Sequence, residues 1–371
     1  MTKKVHNSHR NSIVTQQPQH PLREYRRWLR VSLYMIFLLA GQCTATLLGR
    51  LYFDNGGNSK WMATFVQSAG FPVLLPLLFS FQKHTKLPNT LINEPSKTKP
   101  KVFILVSLYL AFGLLLAGDN LMYSYGLLYL PLSTYVLLCA TQLAFSALFS
   151  FFLNSQKFTK LILNSVVLLT ISTSLLAINS DDDDSMDHPR DKKLIGFFCT
   201  LAASAAYSLF HSLVQLSFEK VIKSKSFSAV LDMQLYPSIV ATCACIVGLF
   251  ASGEWANLGE EMKEYKKGAM SYIMTLCFTA VTYQIFSICM LGLIFEVSSL
   301  FSIVMGALEL PITPMLAITF FHDKINGVKI IALLIAMWGF LSYMYQHYLD
   351  DKKAKAKDNS QVASEGLVEY F

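Results

Sequence analysis

The stretch VFILVSLYLAFGLLLAGDNLMYSYG, residues 102–126, identifies the class of this protein. As an α-helix it would be roughly 38 Å long, whereas the hydrocarbon core of a bilayer is about 30 Å thick. It contains no proline, no basic residue and a single carboxyl side chain, Asp119. The stretch therefore predicts a membrane-spanning helix that carries one carboxyl group.

The composition extends this prediction to the whole chain of 371 residues. Hydrophobic residues make up 53% of it, charged residues only 15%, and the mean hydropathy is +0.42. A soluble domain has a similar apolar fraction but about 25% charged residues. These values exclude a soluble enzyme, a nucleic-acid-binding module and a disordered protein, although the formal net charge is +7.

Apolar runs of about 18 residues or more predict ten membrane-spanning helices. They cover residues 31–50, 61–82, 102–126, 130–153, 160–179, 194–217, 230–251, 269–293, 297–321 and 328–348. The short connections at 127–129 and 294–296 require antiparallel neighbours. The fold class is therefore an all-α integral membrane protein.

The distribution of basic residues orients these spans. With the N-terminus in the cytosol, 21 of the 31 lysine and arginine residues fall in cytosolic segments, as the positive-inside rule requires. An even number of spans then places both termini in the cytosol. The acidic run that begins at Asp181 becomes an external loop, and we expect it to be solvated.

The order of segments suggests a duplication. We predict a basic cytosolic arm (1–30), a five-helix repeat (31–179), an acidic external linker (180–193), a second five-helix repeat (194–348) and a charged cytosolic tail (349–371). A repeat of five helices must insert the second time with inverted orientation. Inverted repeats are typical of secondary transporters, which bind their substrate near the midplane between the repeats.

Carboxyl groups inside the predicted spans indicate how such a transporter could be driven. Asp119, Glu309 and, at a span junction, Glu296 are the candidates for proton coupling. Burial without a cationic partner favours the protonated form of a carboxyl group, so the group can take up and release a proton. A proton gradient would then supply the energy, and no cofactor or metal is expected. His211, in the sixth span, fits a hydrogen-bonded core histidine better.

Amide and aromatic side chains supply a candidate substrate site. Amides at membrane depth present paired donors and acceptors, which match the edge of a planar heterocycle, and aromatic rings can stack on its face. The binding candidates are Trp61, Gln67, Asn120, Tyr123, Gln142, Tyr283 and Gln284. Each of them could instead serve as an interhelical hydrogen bond or an interface anchor. As a set they favour a polar cavity.

Several motifs resemble those of the plant purine permease family, within the drug/metabolite transporter superfamily. They are GRLY (49–52), NGGNSKW (55–61), GDN (118–120), YLPLSTY (129–135), QLSFEKV (215–221), GLIFEVSSL (292–300), PITP (311–314), FHDKINGVK (321–329) and WGF (338–340). The resemblance extends from about residue 30 to about residue 350.

The resemblance implies a ten-helix inverted-repeat carrier that imports adenine, cytokinins or related heterocycles, with protons as the coupled ion. Carriers of alkaloids or vitamin-like bases remain an alternative. The family pattern usually has a small or apolar residue at the position of Glu309, which favours Asp119 and Glu296 as shared coupling residues. The chain is expected to act as a monomer or weak homodimer in the plasma membrane, with the vacuolar and endoplasmic reticulum membranes as alternatives.

Two other classes remain to be compared with this interpretation. A nucleotide-sugar or triose-phosphate carrier would need lysine or arginine in its cavity, and none falls in the interior of a predicted span. An intramembrane lipid- or prenyl-modifying enzyme would need clustered aspartates on the cytosolic side, whereas the aspartate cluster here is predicted to be external. We therefore assign no catalytic residues and no nucleic-acid partner.

Overall fold

A computed structural model describes residues 21–76, 102–153, 159–178, 189–223, 227–309 and 326–342, together with a few positions between 312 and 349. Helices dominate this part of the chain, and it contains no strand. Several predicted features lie outside the described residues: most of the N-terminal arm, the loop 83–101, the acidic run 181–184 and the C-terminal tail beyond residue 349.

The first half of the chain forms six described helices. They are α1 (Pro21–Asp54), α2 (Lys60–Ala69), α3 (Val102–Tyr129), α4 (Leu132–Cys139), α5 (Gln142–Leu153) and α6 (Lys160–Ile178). A short 3-10 turn, Phe71–Leu74, follows α2 and contains Pro72. The helix therefore ends just before the proline, because a proline cannot donate the backbone hydrogen bond that would continue it.

The second half forms the remaining described helices. They are α7 (Arg190–Ser217), α8 (Phe227–Ala251), α9 (Leu258–Glu264), α10 (Ala269–Glu296), α11 (Ser299–Gly306) and α12 (Gly327–Ser342). A π-helical turn, Phe218–Ile222, extends α7. Pro237 lies inside α8 without ending it.

Length and hydropathy identify a multi-pass membrane protein. Within the described residues, six helical segments are long and apolar enough to cross a bilayer: Tyr25–Asp54, Val102–Tyr129, Thr134–Leu153, Arg190–Ile222, Phe227–Ala251 and Ala269–Glu296. Large apolar side chains such as Phe103 (83% exposed) and Phe152 (69% exposed) point out of the protein. Such a surface suits lipid rather than water.

Two predicted connections are wrong by a few residues. Residues 127–129 continue α3, and the turn falls at Leu130–Pro131, where Pro131 has no backbone N–H to continue the helix and instead caps α4. Likewise 294–296 belong to α10, and the turn falls at Val297–Ser298. Ser298 then caps α11 by accepting a hydrogen bond from the backbone N–H of Phe301 at 3.1 Å.

Two further predictions also need correction. The predicted span 130–153 is not one continuous helix: a turn at Ala140–Thr141 separates α4 from α5 within the segment Thr134–Leu153, which is still long and apolar enough to cross a bilayer. The predicted loop 252–268 contains a 3-10 turn and α9. The structure describes the second predicted span only up to residue 76. It describes the ninth up to Glu309, apart from isolated positions beyond it. Pro311 and Pro314 lie outside the described residues.

The helices pair across the two halves of the chain. The most extensive packing joins α1 to α10 and α3 to both α7 and α8, while α2 lies against α8. Close approach depends on glycine: a Cβ atom on Gly113 of α3 would lie 2.4 Å from Cβ of Val240 on α8. The hydroxyls of Ser165 and Ser172 on α6 donate to carbonyls of α12 at 2.7 and 2.9 Å.

These pairings define two ends of the molecule. The Arg50 end contains the C-terminal part of α1, the α3–α4 turn and the segment 252–268, since Arg50 contacts the carbonyl of Leu130 and Lys266 that of Asn55. The Glu296 end contains the N-terminal part of α1, the C-terminal part of α7 and the α10–α11 turn, since Arg30 contacts Glu296. Between these ends lies the cavity described next.

Candidate substrate cavity

A cavity lies between the two halves of the protein. Its walls come from the middle parts of α1, α2, α3, α7, α8 and α10, from the α4–α5 junction, and from Glu309.

Aromatic side chains form much of the wall. The tyrosines are Tyr123, Tyr135, Tyr207 and Tyr283, and the phenylalanines are Phe210 and Phe286. The ring of Tyr123 meets that of Tyr135 edge-on at 6.0 Å and that of Tyr207 at 6.3 Å. Edge-to-face packing fixes the ring planes, so the cavity presents rigid aromatic surfaces.

Amide side chains on five helices line the cavity, and neighbouring groups hold most of them. Gln142 donates to the hydroxyl oxygen of Tyr123 at 2.6 Å, and Gln67 donates to that of Ser124 at 3.1 Å. Asn120 donates to the Ser68 hydroxyl at 3.3 Å. Gln234 and Gln42 complete the set. Because neighbours already position them, these amides can offer hydrogen bonds in a defined geometry.

Two carboxyl groups reach the cavity. Asp119 is only 3% exposed, and within the described residues its Oδ1 atom has no hydrogen-bond partner. Glu309 is 6% exposed and accepts a hydrogen bond from the Thr313 hydroxyl at 3.1 Å. The side chains of Thr46 and Gln42 lie beside it. Buried acceptors of this kind favour a partner that donates hydrogens.

His211 adds an acceptor to the same wall. Its Nδ1 atom lies 2.8 Å from the carbonyl oxygen of Tyr207, which can only accept. Nδ1 therefore carries the proton, and in the neutral ring Nε2 is an acceptor. The ring also lies 4.1 Å from that of Tyr207 and is 4% exposed.

Seven of the ten residues proposed from the sequence line this cavity: Gln67, Asp119, Asn120, Tyr123, Gln142, Tyr283 and Glu309. Gln284 lies directly behind the wall. Its side-chain oxygen accepts from Gln234 at 3.1 Å, and its nitrogen donates to the carbonyl of Ser68 at 3.1 Å. Gln284 therefore links α10 to α8 and α2.

The remaining two residues lie elsewhere. Trp61 packs on Gly248 of α8, where a Cβ atom would lie 2.2 Å from the indole ring, and its backbone N–H donates to Glu254. Glu296 pairs with Arg30 at 3.0 Å and with Arg27 at 3.6 Å. Trp61 thus stacks on a helix near the Arg50 end, and Glu296 joins α1 to α10 at the other end.

Several residues of the wall were not among the site residues proposed from the sequence. Gln42, Gln234 and His211 carried a signal, since each is a polar residue inside an apolar run. Tyr135 and Tyr207 carried none, because tyrosine in a span is equally typical of the membrane interface. Only the rotation of each helix about its axis shows which of them face inward.

The described lining contains no lysine and no arginine. Anionic groups such as phosphate need cationic or helix-terminal partners when they are buried. The cavity is therefore suited to neutral or cationic ligands, and poorly suited to phosphorylated ones.

Comparison with known proteins agrees with the motifs. The family model described as purine nucleobase transmembrane transport matches residues 29–353. The chain is 54% identical to "Probable purine permease 10" of Arabidopsis thaliana, across 93% of this chain and 88% of that protein. It is 53% identical to "Purine permease 21" of the same plant, across 89% and 84%.

A third relative, "Probable purine permease 11" of Arabidopsis thaliana, is 52% identical across 95% of this chain and 91% of that protein. The names of these relatives are those of transporters, so the prediction of a transporter rather than an enzyme is confirmed. The prediction of the family from its motifs is confirmed too: the chain belongs to the purine permease family.

Proposed function

We propose that this protein imports purine bases and purine derivatives, adenine and cytokinins among them, by proton symport. The observation that carries the proposal is the lining of the cavity, in which amides, aromatic rings and two carboxyl groups face one space, with no cation in the described lining. The family supports the substrate class, because its model describes purine nucleobase transport across membranes.

Recognition would use both the edge and the face of a planar base. Gln67, Asn120 and Gln142 would hydrogen-bond its edge, and Tyr123 or Tyr283 would stack on its ring. The unpartnered Oδ1 of Asp119 favours an N–H group of the ligand, such as the exocyclic amine of adenine. A cytokinin is an adenine with an N6 substituent, and the apolar side chains of Leu116 and Met233 could accept that group.

Proton coupling would use Asp119 or Glu309. Both are buried, neither has a described cationic partner, and both line the same cavity. Glu296 is a weaker candidate because it is not part of the cavity lining and is paired with Arg27 and Arg30. Protonation from the acidic outside and release to the cytosol would then accompany each base.

Movement would follow alternating access between two inverted five-helix repeats. The packing supports this. In two such repeats α7 is the counterpart of α1 and α10 is the counterpart of α3; α1 lies along α10, and α7 lies along α3. In the same correspondence α8 is the counterpart of α2, and α12 is the counterpart of α6. The two members of each pair are in contact with each other. The ten spans, cytosolic termini and plasma-membrane location predicted from the sequence belong to this proposal.

Uptake into cells that express the protein tests it directly. We expect labelled adenine and a cytokinin base to accumulate faster at an external pH of about 5 than at about 8, and a protonophore to abolish the difference. Unlabelled adenine should compete, whereas adenosine monophosphate should not, because the described lining offers no cation for its phosphate. Surface-expressed protein without adenine or cytokinin uptake would contradict the substrate, and pH-independent accumulation would contradict proton symport.

A further inference from the structure

We propose that Arg50 and Gln215 are counterpart residues which lock the two ends of the cavity in turn. Each ties the C-terminal end of one long helix to the turn that begins the next short helix on the opposite wall. The proposal rests on the alternating access proposed above, and it assigns specific side chains to the two closed ends.

The lock at the Arg50 end is built on a guanidinium group. Arg50 lies in the last turns of α1, and the residue is 4% exposed. Its Nη1 atom donates to the carbonyls of Leu127 and Leu130 at 3.2 and 2.8 Å, and its Nε atom lies 3.0 Å from the carboxylate of Asp54. The carbonyls at a helix end have no intrahelical partner, so Arg50 satisfies groups that α3 leaves unbonded.

The lock at the Glu296 end is built on an amide. Gln215 lies in the last turn of α7, and its Oε1 atom accepts hydrogen bonds from the backbone N–H and the hydroxyl of Ser299, at 3.0 and 2.5 Å. Its Nε2 atom donates to Glu219 at 2.9 Å. Ser299 begins α11, so Gln215 joins α7 to the turn after α10.

A constant spacing connects the two locks. Gln215 lies 165 residues after Arg50, and the acidic partner of each lock follows four residues later, Asp54 in one case and Glu219 in the other. The same spacing of 165 relates Pro72 to Pro237 and Ser133 to Ser298. A single register therefore places the two clusters at equivalent positions of two repeats.

The two clusters lie at opposite ends of the cavity. Arg50 contacts Leu130, and the first turns of α7 reach the same place, since a Cβ atom on Gly196 would lie 3.2 Å from the Leu130 side chain. The last turn of α7, with Gln215, instead borders the cleft that contains Arg27 and Glu296. α1 and α7 thus run in opposite directions, and each cluster closes the end where its helix terminates.

Breaking a lock should favour the conformation that is open at that end. Arg50→Gln should open the Arg50 end more often, and Gln215→Leu should open the Glu296 end more often. Each loses a few hydrogen bonds, and the Arg50 lock is the stronger because it is charge-assisted and contacts three groups. We expect population changes of about two- to tenfold, larger for Arg50.

A native cysteine in the cavity can report these changes. Cys139 lines the cavity and is partly exposed. We propose to label the full-length protein with a small membrane-impermeant methanethiosulfonate, from outside in intact cells and from the cytosolic side in inside-out vesicles. The same labelling is measured in proteins that also carry Cys139→Ser. The difference between the two measurements is the labelling of Cys139 alone.

The expected changes have opposite signs for the two locks. Arg50→Gln should raise labelling from outside and lower it from the cytosolic side, and Gln215→Leu should do the reverse. Arg50→Lys, which keeps the charge but cannot reach all three groups at once, should fall between Arg50→Gln and the unmodified protein. It also keeps the test usable if Arg50→Gln does not reach the surface. The exposed Lys263→Gln at the same end should change nothing.

Unchanged labelling, or a rise from both sides in both variants, would overturn the proposal, because the second outcome indicates general loosening. The measurement needs no substrate. If the protein does not transport purines, the proposal of the two locks still stands. If purine uptake is normal and the labelling is unchanged, the locks are refuted and the proposed function is not.

Discussion

The backbone N–H of Ser59 donates a hydrogen bond of 3.1 Å to Oε2 of Glu261, a residue 202 positions further along the chain. The other oxygen of the same carboxylate accepts from the hydroxyls of Tyr52 and Tyr272, at 2.5 and 3.1 Å. Glu261 is 9% exposed. One carboxylate therefore joins the end of α1, the start of α2 and the start of α10 at the Arg50 end.

Glu261→Gln should destabilise the protein measurably. An amide keeps one acceptor and places an NH₂ group against donors, so at least one buried donor loses its partner. We expect the free energy of unfolding to fall by about 1–3 kcal/mol. The thermal midpoint of purified protein in detergent measures this. The neighbouring Glu260→Gln, at an exposed position, is the control, and equal midpoints for the two variants would contradict the prediction.

Glu254 should make stability depend on pH. Partial burial acts to raise the pKa of this carboxyl, but hydrogen bonds from Ser59, the Trp61 backbone and Lys60 outweigh it and lower the pKa. A lowered pKa in the folded state stabilises the protein above the unfolded pKa, about 4.3, and that contribution disappears as the pH falls through the folded pKa.

The variant Glu254→Gln isolates this contribution. The unmodified protein should exceed the variant in thermal midpoint at a pH of about 7, and the gap should close below a pH of about 4. A gap that stays constant over this range would show that the carboxylate contributes no pH-dependent stability.

Replacing Asp119 and Glu309 should abolish proton coupling without abolishing the movement of the base across the membrane. Replacing both by amides, Asp119→Asn with Glu309→Gln, removes the only carboxyl groups in the described lining. We expect accumulation against a gradient to disappear while exchange of labelled for unlabelled adenine continues. Each single variant then identifies the coupling residue by its loss of pH dependence. Glu260→Gln is the surface control, and undiminished accumulation in the double variant would refute the assignment.

Gln142 should contribute to binding rather than to folding alone. Its amide donates to Tyr123 at 2.6 Å in the cavity wall. Gln142→Met preserves side-chain length but removes the donor, so the KM for adenine should rise about five- to tenfold. Surface expression measured in the same cells separates a binding defect from a folding defect. An unchanged KM would remove Gln142 from the site.

Two glycines of α3 should respond oppositely to alanine. A Cβ atom on Gly113 would lie 2.4 Å from the Val240 side chain and 2.8 Å from the Pro237 carbonyl, so Gly113→Ala should cost about 1–3 kcal/mol. Nothing lies within 4 Å of a Cβ atom on Gly118, and Gly118→Ala should stabilise the helix by up to about 1 kcal/mol. Thermal midpoints of the two variants give the comparison, and a shift of the same sign in both would contradict it.

Much of the fold follows from hydropathy alone. The stretch 102–126 had to be a membrane helix, because a long apolar backbone in lipid can satisfy its hydrogen bonds only within itself. The structure moves the ends of α3 and α10 by three residues and adds α9, since caps and prolines near the interface respond to local geometry rather than to hydropathy.

The candidate site was accessible to sequence reasoning for a different reason. Polar side chains are costly in lipid, so Asp119, Glu309 and Gln67 stand out in any apolar run, and all three line the cavity. Trp61 stands out equally, yet it packs on Gly248 near the Arg50 end. Residue type indicates that a side chain needs a special environment, without indicating which one.

The amino-acid order alone specified a multi-pass membrane protein, the family motifs and most of the polar residues that meet inside. Helix packing decided which of them share one cavity, and it brought Ser59 to Glu261 and Arg50 to Leu130. Each residue turns a helix by about 100°, so the direction of a side chain depends on how its helix is rotated against its neighbours. That rotation is a property of the packed helices together, and no single span contains it.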